Sequence, residues 1–209
     1  MTIGKLQTNM KACLWGLEDK DNSHKIDTAI GKHIVPVVRG ADENGSKKYY
    51  LIDNHHFVYA LYKAKHPDPV EVYIRIVANL SKLDRDDFWY VLDARGWSHR
   101  YDENGQRCED YEKIPKRIEE MKDDRFRSLA GALRRAGGFA KDTTPFSEFQ
   151  WANFLRRELQ NIPSNITFDK MLHEALRLAR TKKAKYLPGW CGFSLRKDER
   201  VLLQTTNWT

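Results

Sequence analysis

Hydrophobic and polar positions change period several times along the 209 residues, and each change marks an element. Ile34-Val35-Pro36-Val37-Val38 is nearly all apolar, the composition of a buried strand. Ala41-Asp42-Glu43-Asn44-Gly45-Ser46 is polar and carries Asn-Gly, a hairpin-turn dipeptide, so Tyr49-Tyr50-Leu51-Ile52 reads as the returning strand. Asp53 ends that strand and suits a helix N-cap. From Asn54 onward Val58, Leu61, Tyr62 and Lys65 recur at helical spacing, and His66-Pro67-Asp68-Pro69 stops the helix. Val70, Val72, Ile74 and Ile76 then alternate with Glu71, Tyr73 and Arg75, which predicts a half-exposed strand. Before all this, Ile3-Gly4-Lys5-Leu6 predicts an opening strand, residues 10–17 are apolar enough to pack, and residues 18–22 form a charged loop.

After residue 80 the period becomes helical. Ser81-Lys82-Leu83-Asp84 starts a helix whose apolar stripe is Phe88, Trp89 and Leu92, ending at Gly96. Residues 97–105 are turn-rich. Pro115 suits the first turn of a helix through Ile118 and Met121. Residues 125–136 form a further helix that buries Leu129, Leu133 and Ala136 and ends at Gly137-Gly138. Another begins at Thr144-Pro145-Phe146, and a last amphipathic one runs from 168 to 183. These patterns predict an α+β fold: a small mixed sheet with helices over 1–80, a helical extension over 81–193 packed on it as one domain, and a tail over 194–209.

Composition narrows the functional classes. Hydrophobic residues make up 41% and charged residues 31% of the chain, a globular profile rather than a disordered one. The net charge of +7 makes nucleotides and nucleic acids plausible partners. Cys13, Cys108 and Cys191 are odd in number and far apart, so neither a disulfide framework nor a zinc site is expected. No signal core or membrane-length apolar run appears, and a cytoplasmic location with no membrane partner is expected.

The chemistry concentrates at two places. Asn54, His55 and His56 follow Asp53 on the first turn of a helix, where backbone N–H groups and the helix dipole favour an anion. An Asp and two His there can bind phosphate, move protons or hold a metal; such a turn is also common as plain architecture. The second place is the 123–141 stretch, where Arg127 and Arg134 share a helix face and Lys141 follows the Gly-Gly end. A basic helix face is more often simply solvated.

Several of these motifs carry a family resemblance. Tyr50-Leu51-Ile52-Asp53-Asn54-His55-His56 resembles the Tyr-Leu-Ile-Asp-His-His-His of the ParB-like nuclease group within the ParB/sulfiredoxin superfamily. The superfamily signature is a strand, an Asp-Gly-x-His-Arg-like turn and a helix. Asn54 replaces the first His, and His56 stands where many relatives carry Arg. No Cys occupies the turn, so the sulfiredoxin reaction is not expected. Asp123-Asp124, Arg127-Ser128-Leu129-Ala130, Gly137-Gly138 and Lys141 resemble a second family motif. A third spans 146–156, Phe146-Ser147-Glu148-Phe149-Gln150-Trp151-Ala152-Asn153-Phe154-Leu155-Arg156, and Leu187-Pro188-Gly189-Trp190 a fourth. Leu6-Gln7-Thr8-Asn9 and Gly16-Leu17-Glu18 match the family's N-terminal pattern loosely.

The resemblance implies a nucleotide-phosphate site at the strand–turn–helix element, with hydrolysis or phosphoryl transfer as the activity. Glu18, Asp53, His55 and His56 would be the catalytic candidates. Asn54, His55, His56, Arg127, Ser128 and Lys141 would hold phosphate, and Asp53 would help place Mg²⁺. The expected ligands are ATP, ADP or CTP, with a small-molecule phosphoryl acceptor and weak nucleic-acid binding as further partners. A nuclease acting on DNA or RNA is the alternative enzyme, although no two-metal carboxylate cluster is visible. A DNA-binding partition or regulatory protein ranks third, because 125–136 lacks the polar side chains of a recognition helix.

Overall fold

The computed structural model describes residues 2–17, 23–41, 46–65, 68–163 and 165–192. It falls into two compact units, Met1–Ser128 and Leu129–Thr209. The class is α+β, as the periodicity predicts.

In the first unit β1 (Thr2–Ile3) leads into α1 (Lys5–Trp15), followed by α2 (Ser23–Lys32). β2 (Val35–Ala41) and β3 (Lys47–Leu51) pair antiparallel, and α3 (His55–Lys65) crosses over to β4 (Ile74–Asn79), which pairs parallel to β2. The sheet order is β3-β2-β4. Consecutive residues of a strand point to opposite faces, and Val37 and Val38 at the centre of β2 show it. Val37 joins Val35, Phe57, Ala60 and Leu61 on the α3 side. Val38 joins Phe88 and Leu92 of α4 (Arg85–Ala94) on the other. Helices therefore cover both faces, and the Asp53 turn sits where β3 hands over to α3.

Several predicted elements differ in the structure. The opening strand lasts only Thr2–Ile3, because Gly4 lets α1 start at once, and the Lys5 N–H is held by the Asp123 carboxylate at 2.8 Å. The helix expected after Pro115 is a single 3-10 turn, Ile118–Glu120, after which Met121 is extended and feeds β5 (Lys122–Asp123). β5 pairs parallel to β1, so long-range pairing overrides the local helical signal. The alternating run 70–76 becomes strand only from Ile74 on. The Asn-Gly hairpin tip lies outside the described residues, though the pairing it implies is present.

α5 (Arg125–Arg135) begins in the first unit and ends in the second, which also holds α6 (Ser147–Glu158) and α7 (Phe168–Ala179). The last predicted helix is thus shorter, with a 3-10 turn at Lys182–Ala184 beyond it. The Trp151 ring stacks on Phe139 at 4.4 Å and its indole N–H donates to the Pro188 carbonyl at 2.8 Å. Glu148 pairs with Arg134 at 2.7 Å, and Arg156 donates to Asn153, so these motif residues are engaged within their own unit.

Candidate functional site

The turn after β3 is built by one unusual backbone angle. Asn54 adopts φ 62°, the left-handed region that Asn tolerates better than most residues. Its side-chain Nδ2 donates to the Ile34 carbonyl at 3.0 Å, which ties the turn to the start of β2. Its own carbonyl accepts from Phe57 and Val58, opening α3. Asp53 is exposed and its carboxylate accepts from the adjacent Asn54 N–H at 2.7 Å rather than reaching further into the helix.

His55 is thereby placed at the first position of α3, half-buried. Desolvation lowers its pKa to about 4, and the pull of Asp53 and of the Leu51 carbonyl in the other direction is smaller. The imidazole is neutral at pH 7. A neutral ring that donates to Leu51 through one nitrogen offers the other as an acceptor.

His55 forms part of the wall of a cavity of about 660 Å³, within the usual range for small-molecule sites. β3, α3, α4 and the 97–121 segment enclose it. Its walls are aromatic: Tyr49, Tyr50, Phe88, Trp89, Trp97 and Tyr111. Lys48, Arg85, Lys116 and Arg117 also border it, against one lining carboxylate, Asp84. Asp84 is the N-cap of α4, accepting from Asp87 at 2.9 Å. Arg117 is already paired with Glu119, and the three other cations against one lining carboxylate favour an anionic ligand.

Tyr111 is fixed from behind. Its hydroxyl donates to Asp93 at 2.9 Å, and Arg100 donates to the same carboxylate at 3.2 Å while lying 4.1 Å above the Tyr111 ring. The other side of that ring stacks on Trp89 at 4.3 Å and 10°.

A second polar group lies in the same unit and is closed to solvent. Gln7, Thr8, Asp124, Arg127 and Ser128 are all buried, with Arg127 at 8% exposure and Gln7 at 0%. Arg127 donates to the Gln7 side-chain oxygen at 2.9 Å, and Ser128 accepts from the Gln7 N–H at 3.3 Å. Asp124 caps α5 through the N–H groups of Phe126 and Arg127. Gly4 is required here, since a Cβ would sit 2.7 Å from the Ser128 nitrogen. His99 is near enough for the Arg127 charge to act on it, and burial together with that charge lowers its pKa to about 4.

A family model described as "Putative ParB-like nuclease" matches residues 1–157. The chain belongs to the ParB-like nuclease family. The solved structure of protein Atu1540 from Agrobacterium tumefaciens is similar, with 42% identity, 92% of each chain covered and a TM-score of 0.76. No curated protein matches.

In this ParB-like chain the residues expected to form one site are distributed. His55 lines the cavity; Asp53, Asn54 and His56 belong to the same turn but not to its wall. Arg127 and Ser128 belong to the closed cluster. Lys141 is exposed in the second unit, and Glu18 lies outside the described residues. Sequence reasoning missed Lys116, Arg117, Trp97 and Tyr111. Their signal was the aromatic and cationic density of 97–117, where 97–105 read as turn-rich and Pro115 as the start of a helix.

Among the described residues no three His, Cys, Asp or Glu side chains are grouped to hold a metal ion. Nor, among them, is any helix long and apolar enough to cross a membrane.

Proposed function

We propose that the chain binds a nucleotide with its phosphates near the Asp53–His55 turn, and hydrolyses it or transfers its phosphoryl group. The observation that supports this most is a neutral His55, at the first position of α3, facing a cavity that is aromatic inside and bordered by cations. In phosphoryl transfer the protein mainly positions groups and offsets charge. Lys48, Arg85 and Lys116 supply the opposing charge, Arg117 being paired with Glu119. His55 accepts a hydrogen bond from the attacking hydroxyl or water, or donates to phosphate once the ligand's charge has raised its pKa. Mg²⁺ commonly enters with the phosphates and takes only one or two carboxylates from the protein. Asp53 fits that limited role, exposed beside His55 with one oxygen turned to the Asn54 N–H.

The family description supports a second reading, a phosphodiester of DNA or RNA as the substrate of the same turn. Isothermal titration with ATP, ADP, CTP and GTP, with and without Mg²⁺, tests the first reading beside a cleavage assay on single- and double-stranded DNA. Nucleotide binding weakened at least about tenfold, or 1.4 kcal/mol, by His55→Ala is expected. Cleavage of DNA without nucleotide binding would replace the first reading by the second.

A further inference from the structure

The free edge of the sheet opens into the His55 cavity. β3 is an edge strand in the order β3-β2-β4, and its consecutive residues Lys48, Tyr49, Tyr50 and Leu51 all line the cavity. His55 and Val58 of α3 close it from one face of the sheet, and Phe88 and Leu92 of α4 from the other. Among the described residues neither β2 nor β4 contributes to the wall. A cavity bounded by one edge strand and by the helices of both faces runs along that edge.

The ladder fixes which backbone groups point into it. In an antiparallel pair, residues that bond to the partner strand alternate with residues that turn their N–H and C=O away. Ile52 donates to the Pro36 carbonyl at 3.2 Å, and the same register sets Tyr50 opposite Val38 and Lys48 opposite Gly40. Ile52, Tyr50 and Lys48 therefore bond towards β2, while Leu51 and Tyr49 turn their backbone groups outward. The His55 ring takes the Leu51 carbonyl, in agreement with that direction. The Tyr49 N–H, the Tyr49 carbonyl and the Leu51 N–H remain, and among the described residues none of the three has a hydrogen-bond partner.

We propose that the cavity is a docking groove for an extended acidic peptide, which pairs with β3 and adds a fourth strand to the sheet. This pairing uses the β3 edge rather than the Asp53–His55 turn, so it goes beyond the nucleotide reading and does not rest on it. An outward row of donor, acceptor and donor matches another polypeptide, whose backbone offers the same alternation. A phosphodiester backbone offers acceptors alone and would set a charged oxygen against the Tyr49 carbonyl. Charge selects the side chains of the peptide: Lys48, Arg85 and Lys116 border the groove against one lining carboxylate, Asp84. His55 ends the pairing, because its ring already holds the next outward carbonyl.

Selection of the full chain against a displayed random-peptide library, followed by titration calorimetry with the enriched peptide, tests this. The enriched peptides are expected to be acidic, to lack proline at their centre and to bind less tightly as salt rises. N-methylating alternate residues of such a peptide should weaken binding at least about fivefold in one phase of the alternation and little in the other, because only one edge of the peptide pairs with β3. Tyr49→Pro deletes an outward N–H at an edge position where the ladder does not need it, and should also weaken binding at least about fivefold. Tyr49→Thr keeps that N–H and should stay within about twofold of the native chain. Should Tyr49→Pro unfold, the N-methylated peptides carry the test on the native protein. Peptide binding retained by a chain that binds no ATP would support the groove while ending the nucleotide reading. An enriched peptide indifferent to N-methylation in both phases would overturn the groove. So would a single-stranded oligonucleotide that binds where no peptide is enriched, which would give the cavity to a nucleic-acid strand.

Discussion

The His55 cavity and the Gln7–Arg127 cluster lie in the same unit and both announce themselves as polar motifs, yet they solve opposite problems. The cavity sets aromatic rings and charged side chains side by side on one wall open to a ligand. The cluster hides its polar groups and joins several of them to one another and to helix ends, although among the described residues Gln7 Nε2 and Arg127 Nε have no hydrogen-bond acceptor. A buried guanidinium costs much desolvation unless it is paired, so such groups persist where they fix geometry. Here they clamp the start of α1 to the start of α5. The difference teaches that two motifs with the same residue types can be a ligand site and a fastening.

The largest expected effect breaks the fastening. Arg127→Ala removes a charged donor from a buried partner and leaves a void, and should cost about 3 kcal/mol of stability in urea or thermal unfolding. At temperatures where the variant stays folded, nucleotide affinity should remain within about threefold, under 1 kcal/mol. Unchanged stability with lost affinity would show that the cluster is part of the site.

Acid sharpens the contrast next. His55 and His99 both have folded pKa values of about 4, against 6.5 in the unfolded chain. Between those values the unfolded chain holds protons that the folded one does not, so stability present above pH 6.5 is lost as pH falls towards 4. His55→Gln and His99→Gln should each flatten the plot of melting temperature against pH. Bound nucleotide should separate the two, because phosphate charge raises the pKa of His55 and makes binding tighten as pH falls from 7 to 5. That tightening should vanish in His55→Gln and survive in His99→Gln.

The smallest effect concerns the mouth of the cavity. Asp84→Ala deletes the α4 cap, at about 1 kcal/mol of stability. It also removes the one carboxylate that lines the cavity, so an anionic ligand should bind a few-fold more tightly at low salt, with the gain fading as salt rises. Loss of affinity in parallel with stability would mean that the ligand needs this carboxylate.

Much of the fold was legible because its signals are periodic and local. The β2–β3 pairing, the α3 turn and the stop at Gly96 could be read from spacing, while the helix read as starting within Ser81–Asp84 begins only after its last residue, the cap Asp84. Residues 114–123 could not, since the strand there exists only by pairing with Thr2 and Ile3, some 120 positions away. The composition shift at residue 81 likewise marks a change of period, while the compact unit runs on to Ser128. At the site, Asp53 and the two His were visible as a turn. Burial was not: nothing local separates His55, on the cavity wall, from Arg127, sealed against Gln7. The aromatic walls come from β3, α4 and a connection of no regular period, and only the fold assembles them.

One backbone angle sets which residues can replace Asn54. A left-handed φ of 62° admits glycine freely and Asn, Asp and His at modest cost, but strains a β-branched side chain. The Asp-Gly-x-His-Arg and Asp-His-His-His turns that this chain resembles draw on that same short alphabet. What looks in sequence like a His lost to Asn is then a synonym in conformation: the position spells the bend, and His55 keeps its aim.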